Sequence, residues 1–216
     1  MASQGVSVFS ASMQAHMRGV PKQLREEYER NEPYPYTVIK DVCREDVMRG
    51  VRNEIIDNFE ATYKETDLFK MLQSMDLANL STLDDATKAR IPNLLALRDA
   101  IYSAEFREFV SSLTGCGQLS ETTDCACNIH PVGGHLLTHD DVIGDRRVSY
   151  IIYLTDPDDP WTEEDGGALE LYPEDPVGTD LDRRADARSD SLFSLCSLSV
   201  LSLFSRTHTL SVLAPF

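Results

Sequence analysis

The hydrophobic pattern of the chain changes at Gly115, and this change restricts the fold more than any other feature. Before Gly115 the spacing is helical: in REDVMRGVRNEIIDNF, apolar side chains recur every four positions at Val47, Val51, Ile55 and Phe59. After Gly115, short β-branched and aromatic runs such as RRVSYIIYLT are separated by Gly, Pro and Asp, which is typical of strands and turns. Helices followed by strands predict an α+β fold in which the helices pack on a sheet.

Other segments carry their own boundary signals. The run PKQLREEYERNEPYP predicts a short solvated helix ended by proline, and YTVIKDV predicts a strand. TDLFKMLQSMDLANL repeats the helical spacing, with Thr66 or Asp67 as the expected N-cap. IPNLLALRDAIYSAEFREFVSSLTG predicts two more helices, the last of which ends at Gly115. Beyond that glycine, CACNIHPVGGHLLTH and GGALELYP add further predicted strands.

The composition favours some partners over others. The chain has 216 residues, 42% of them hydrophobic, so one domain with a sizeable core is expected. Its net charge of −16 repels nucleic acid, so no direct nucleic-acid partner is expected, whereas a basic protein would be attracted. Five scattered cysteines are an odd number, which is not typical of a disulfide framework and favours a reducing compartment.

The two ends of the chain differ from its middle. Residues 1–35 are expected to be an N-terminal extension, either a frayed end or, given the Ser-rich start, an organellar transit peptide. From Ser191 onward the chain is rich in serine and leucine, and this apolar run falls short of a membrane span. The sequence therefore predicts no membrane partner, a domain over residues 36–178, and a low-complexity tail over residues 179–216.

His139 and Asp141 are the candidate metal ligands. Side chains two positions apart on a strand point to the same face, so these two can converge on one ion while Asp140 points away. Two histidines and one carboxylate are typical of non-haem iron sites, which leaves a second histidine to come from elsewhere. The competing interpretation is a solvated strand end without a metal, because an isolated His-x-Asp is common.

The motifs around His139 resemble one family of enzymes. HPVGGHLLTHDD is similar to the pattern Y-x-x-G-x-x-L-x-x-H-x-D, with Gly133, Leu136, His139 and Asp141 in place. Arg147, YIIYL and GGALELY follow in the same order as in iron- and 2-oxoglutarate-dependent prolyl hydroxylases. The closer likeness, over residues 36–173, is to the ribosomal-protein prolyl 3-hydroxylases, the group of the yeast termination-and-polyadenylation protein, in which a DLFKMLQS-like segment precedes HDD.

This resemblance implies a fold, a set of cofactors and a substrate. The fold would be a double-stranded β-helix, or jelly-roll, with Fe(II) held by His139 and Asp141. Tyr153 would donate its hydroxyl to the cosubstrate 2-oxoglutarate, and L-ascorbate would support the iron. The substrate would be a prolyl residue of a basic small-subunit ribosomal protein, which implies a role in translation and a cytoplasmic or nuclear location, or both.

The sequence departs from the family pattern at two places. His130 stands where the motif has its first tyrosine, and histidine can still hydrogen-bond a carboxylate. The family also needs a distal histidine and then an arginine about ten residues later to clamp 2-oxoglutarate. His208 is the only downstream histidine, and no arginine follows it. The sequence therefore predicts a catalytic domain that is incomplete at its C-terminal side, and a non-catalytic pseudoenzyme or scaffold stays open as the alternative.

Two other kinds of metal site are weaker alternatives. Cys125, Cys127 and His130 are close together, but zinc sites favour a second matching pair of ligands. DPDDPWTEEDGG is rich in carboxylates but lacks the ligand order of a calcium loop, so a solvated loop is the better interpretation.

Overall fold

The computed structural model describes residues 7–58, 60–139, 146–154, 156, 158–159, 169–172 and the backbone of 209–213. Its helices are α1 (Ala11–Arg18), α2 (Lys22–Arg30), α3 (Glu45–Asn58), α4 (Asp85–Lys88), α5 (Pro92–Ile101) and α6 (Ala104–Thr114), with a 3-10 helix at Leu77–Thr82. Its strands are β1 (Tyr36–Lys40), β2 (Thr62–Glu65), β3 (Phe69–Asp76), β4 (Ala126–Ile129), β5 (His135–Leu136), β6 (Tyr150–Ile152) and β7 (Thr209–Leu213).

The helices with strong periodicity lie where the sequence predicts them. α3 buries Val51 and Ile55 from the predicted stripe, while Phe59 is outside the described residues. α6 begins at a side-chain cap, because the hydroxyl of Ser103 accepts a hydrogen bond from the Phe106 N–H at 3.1 Å. It ends at Gly115, whose φ of 70° is the left-handed conformation that glycine adopts at low cost.

One predicted helix is wrong. Most of TDLFKMLQSMDLANL forms the strand β3, and only its end, from Leu77, is helical. β3 pairs with β2, β4 and β5, and its register shifts between Gln73 and Asp76. Because of this irregularity, Met71 and Ser74 are both buried although they are three positions apart. A spacing of three is also the spacing of buried residues on a helix, so the sequence pattern resembled that of a helix. Thr66 caps a hairpin turn instead: its hydroxyl accepts hydrogen bonds from the backbone N–H of residues 68 and 69.

The strands form two antiparallel sheets. One has the order β1-β7-β6, and the other has the order β2-β3-β4, with β5 pairing β3. The predicted strand in GGALELYP is not observed, since its described part, residues 169–172, lies outside the strands. β7 lies between β1 and β6 although it falls in the predicted tail, whose boundaries stay a prediction. Mixed helices and antiparallel strands confirm the α+β class.

A single hydrophobic core joins the helices to both sheets. It contains Phe106 of α6, Ile39 of β1, Cys127 of β4 and Ile152 of β6, each less than 5% exposed. Because helices and sheets bury their side chains in the same core, the helical layer supports the strands that carry the candidate site. Among the described residues, no helix has the length and apolar composition that crossing a membrane requires.

A buried carboxylate caps helix α5. The N-cap position of α5 has no side-chain hydrogen bond of its own, and Glu54 of α3 supplies acceptors instead. Its Oε1 accepts from Asn93 N at 3.0 Å and from Asn93 Nδ2 at 2.5 Å, and its Oε2 accepts from Leu94 N at 2.8 Å. The two helices approach closely because Gly50 has no side chain: a Cβ there would lie 2.5 Å from Asn93 Nδ2.

Candidate metal centre and its surroundings

His139 is held in a form that suits metal binding. Its Nδ1 lies 2.8 Å from the carbonyl oxygen of Leu137, so in the neutral ring this nitrogen donates the proton. Nε2 then carries the lone pair, which is the state in which imidazole binds a metal. The Leu137 N–H in turn donates to Leu68 O at 2.8 Å. This hydrogen bond holds the segment just before His139 against the turn between β2 and β3.

The turn before β5 requires its two glycines. Gly133 has a φ of 78°, which is strained for other residues. Gly134 donates its N–H to Pro131 O at 2.7 Å, and a Cβ there would lie 2.8 Å from that oxygen and 3.0 Å from Lys70 O. The pair GG in HPVGGH thus allows the chain to pass close to β3 and enter β5, which begins four residues before His139.

The other predicted ligands lie outside the described residues. Asp141 and its neighbour Asp140 do, and so does His208, the downstream histidine. Within the part of the chain that the structure describes, no group of three His, Cys, Asp or Glu side chains converges on one metal position. The tautomer of His139 fits iron, while its partnership with Asp141 stays a prediction.

Tyr153 follows β6, in the other sheet from β5. Tyr150, Ile152 and Leu154 pack into the core shared with the helices. Because side chains alternate along an extended chain, Ile151 and Tyr153 lie on the opposite face. Ile151 is 1% exposed, so this second face is covered as well. Of the two tyrosines, Tyr150 therefore faces the helices and Tyr153 lies on the other face, while the role of Tyr153 at 2-oxoglutarate stays a prediction.

His130 lies just after β4, and its surroundings favour the neutral imidazole. Burial lowers its pKa below the usual value, and the nearby His135 lowers it further. A neutral imidazole can still donate one N–H to a carboxylate. The residue is therefore chemically able to replace the tyrosine of the family motif, and whether it does so stays a prediction.

Three of the described cysteines, Cys43, Cys125 and Cys127, are buried in the core, and Cys116 is partly exposed. None of these four forms a disulfide bond. Burial raises the pKa of Cys127 to about 12, so this thiol stays protonated. Among the described residues, no group of three His, Cys, Asp or Glu side chains forms around Cys125 and Cys127.

The acidic loop after β6 contacts helix α3. Arg52 lies 3.0 Å from Asp156, and Arg49 lies 2.7 Å from Asp158. The hydrogen bond from Arg49 lowers the pKa of Asp158. Residues 160–168 of the predicted calcium-like segment are outside the described residues. No sequence signal indicated these pairs, because their members are about a hundred positions apart and each looks like an ordinary solvated charge.

Comparison with known proteins defines the class. The chain matches the family model of the 2OG-Fe(II) oxygenase superfamily over residues 125–212. The matched range includes His139, Asp141, Tyr153 and His208, and it extends through most of the predicted tail. This part of the chain is therefore similar to the 2OG-Fe(II) oxygenases, a superfamily whose name refers to 2-oxoglutarate and iron(II).

The relatives that the chain resembles are named as prolyl hydroxylases. The chain is 50% identical over 143 residues to the prolyl 3,4-dihydroxylase OGFOD1 of Ostreococcus tauri, covering 66% of this chain and 28% of that protein. It is 32% identical over 148 residues to the prolyl 3-hydroxylase OGFOD1 of Xenopus laevis, covering 68% and 26%. It is 26% identical over 147 residues to the prolyl 3-hydroxylase sudestada1 of Drosophila melanogaster, covering 67% and 25%. The chain spans about a quarter of the length of these relatives.

Proposed function

We propose that the chain is the iron- and 2-oxoglutarate-binding part of a prolyl hydroxylase that acts on a protein. The observation that carries this proposal is the position of His139, whose Nδ1 is held by the Leu137 carbonyl inside the region that matches the family. That hydrogen bond presents Nε2 as a metal ligand, as in the known arrangement of metal-binding histidines. The strands would form part of a double-stranded β-helix.

Each candidate residue has a distinct role in this proposal. His139 through Nε2 and Asp141 through its carboxylate would hold Fe(II), and Tyr153 would donate its hydroxyl to a carboxylate of 2-oxoglutarate. When bound, iron and 2-oxoglutarate supply the oxidation that places a hydroxyl group on the prolyl ring. The protein's own part would be to hold the histidine tautomer through the Leu137 carbonyl and to orient the cosubstrate through Tyr153.

The charge of the chain supports a basic protein as substrate. With a net charge of −16, the surface attracts a positively charged partner and speeds its encounter. A basic small-subunit ribosomal protein meets this condition, which would give the protein a role in translation and a cytoplasmic or nuclear location. In this proposal residues 1–35 are an extension, residues 36–178 the catalytic domain and residues 179–216 the tail.

A direct assay tests the proposed reaction. Purified chain, Fe(II), 2-oxoglutarate and ascorbate are incubated with small-subunit ribosomal proteins, and tryptic peptides are examined by mass spectrometry. We expect a gain of one oxygen atom on a prolyl residue, absent with His139→Ala. A folded chain that binds these proteins but never adds oxygen would instead support the non-catalytic scaffold.

A further inference from the structure

A cavity lies between helices α5 and α6 and strand β6. Its volume is about 330 Å³, which suits a small organic molecule. The apolar part of its wall comes from buried side chains of the helices, among them Ile101, Phe106 and Val110. Tyr150 closes the side of the sheet, with its ring edge-on to Phe106 and 5.5 Å between the ring centroids.

Two arginines with little exposure line the same cavity. The side chain of Arg146 is 11% exposed and that of Arg107 is 19% exposed. Arg107 is held in place because its Nη1 donates to Tyr102 O at 2.7 Å. The acidic group paired with Arg107 is solvated: Glu121 lies 3.8 Å away and is 94% exposed. Such a pair contributes little, so an anion inside the cavity can compete with Glu121 for Arg107. Arg146 lies 3.8 Å from Asp124, a carboxylate that also lines the cavity and is 63% exposed.

The mouth of the cavity adds hydrogen-bonding groups. Gln118, Ser120, Thr122 and Thr123, from the segment between α6 and β4, line it. Their hydroxyl and amide groups can donate to the oxygens of a carboxylate or a phosphate. Exposed Arg147 adds a third guanidinium at the rim. Three arginines against the one carboxylate of Asp124 leave the described lining with a positive net charge in a chain of net charge −16, so an anion is favoured locally.

We propose that this cavity binds a small organic anion. Its apolar body would pack on Phe106 and Tyr150, and its carboxylate or phosphate group would bind Arg107 and Arg146. No described residue that lines the cavity is one of the proposed ligands of iron or 2-oxoglutarate. The inference therefore does not depend on the proposed hydroxylase activity.

Isothermal titration of the full chain with phenyl phosphate tests this proposal. EDTA is present, so that iron plays no part in the binding. The variants are Arg146→Gln, which removes a charge from the cavity, and Ser120→Trp, which blocks its mouth from an exposed position. Arg18→Gln, at an exposed arginine in α1, is the matched control. Circular dichroism shows that each variant is folded, and Ser120→Trp decides the result if Arg146→Gln does not fold.

We expect saturable binding that each cavity variant weakens about tenfold or more and that the control leaves unchanged. Inorganic phosphate, which lacks the apolar body, and benzyl alcohol, which lacks the charge, should each bind at least about tenfold more weakly. Benzoate in place of phenyl phosphate then shows whether a carboxylate serves as well. No saturable binding to the folded chain, or equal binding by the wild type and the blocked variant, would overturn the proposal.

Discussion

The contact between Glu54 and the start of α5 predicts a large loss of stability on Glu54→Ala. The carboxylate is 9% exposed and accepts three hydrogen bonds, two from Asn93 and one from the buried Leu94 N–H. Leaving a buried N–H without an acceptor costs about 1–3 kcal/mol. The loss of a negative charge at a helix N-terminus adds about 0.5 kcal/mol. The hydrogen bonds to Asn93 are lost as well, and together these costs should lower the free energy of unfolding by about 3 kcal/mol.

Glu54→Gln keeps the volume of the side chain but replaces one of its two acceptor oxygens, so it shows how much of the loss comes from the hydrogen bonds. One oxygen remains to accept from Asn93, while the new NH₂ group faces the Leu94 N–H, so a smaller loss of about 1–2 kcal/mol is expected. The exposed Glu108→Ala on α6 is the control and should change stability by less than about 0.5 kcal/mol. Urea denaturation followed by circular dichroism measures all three. If Glu54→Ala were as stable as Glu108→Ala, the capping role of this carboxylate would be refuted.

Two further predictions concern packing and thiol reactivity. Gly50→Ala places a Cβ 2.5 Å from the Asn93 amide, so it should lower the free energy of unfolding by about 1–3 kcal/mol, while Gly19→Ala, with open space around it, should be neutral in the same urea experiment. Iodoacetamide should label the partly exposed Cys116 well before the buried Cys127, whose pKa is raised to about 12, and peptide mapping of the native chain checks the order. Faster labelling of Cys127 would contradict its burial in the core.

The parts of the fold that the sequence predicted are those in which local signals agree. α3 combines a four-residue apolar spacing with length, and α6 has both an N-cap serine and a C-terminal glycine. β3 was mispredicted because a register shift buries Met71 and Ser74 at a helical spacing. No local pattern shows such a shift, since it depends on strands that pair from both sides.

The sequence predicted the candidate ligands of the site but not the hydrogen bonds around them. The motif around His139 was identified, and so was the alternation that places Tyr153 opposite Tyr150. The hydrogen bond from His139 to a carbonyl two residues earlier could not be predicted, because it depends on a turn held by Leu68. Glu54 has the sequence features of a solvated helix face, and its partners lie about forty positions away. Contacts of this kind follow from tertiary packing alone.

The most direct test of the central claim is an anaerobic titration of the purified chain with Fe(II) and 2-oxoglutarate. The visible charge-transfer band of the ternary complex reports binding without requiring turnover. We predict a band that His139→Ala abolishes and that His16→Ala, a histidine change in α1, leaves in place. A folded chain that shows no band, or a band that persists in His139→Ala, would contradict the assignment of this histidine to an iron site.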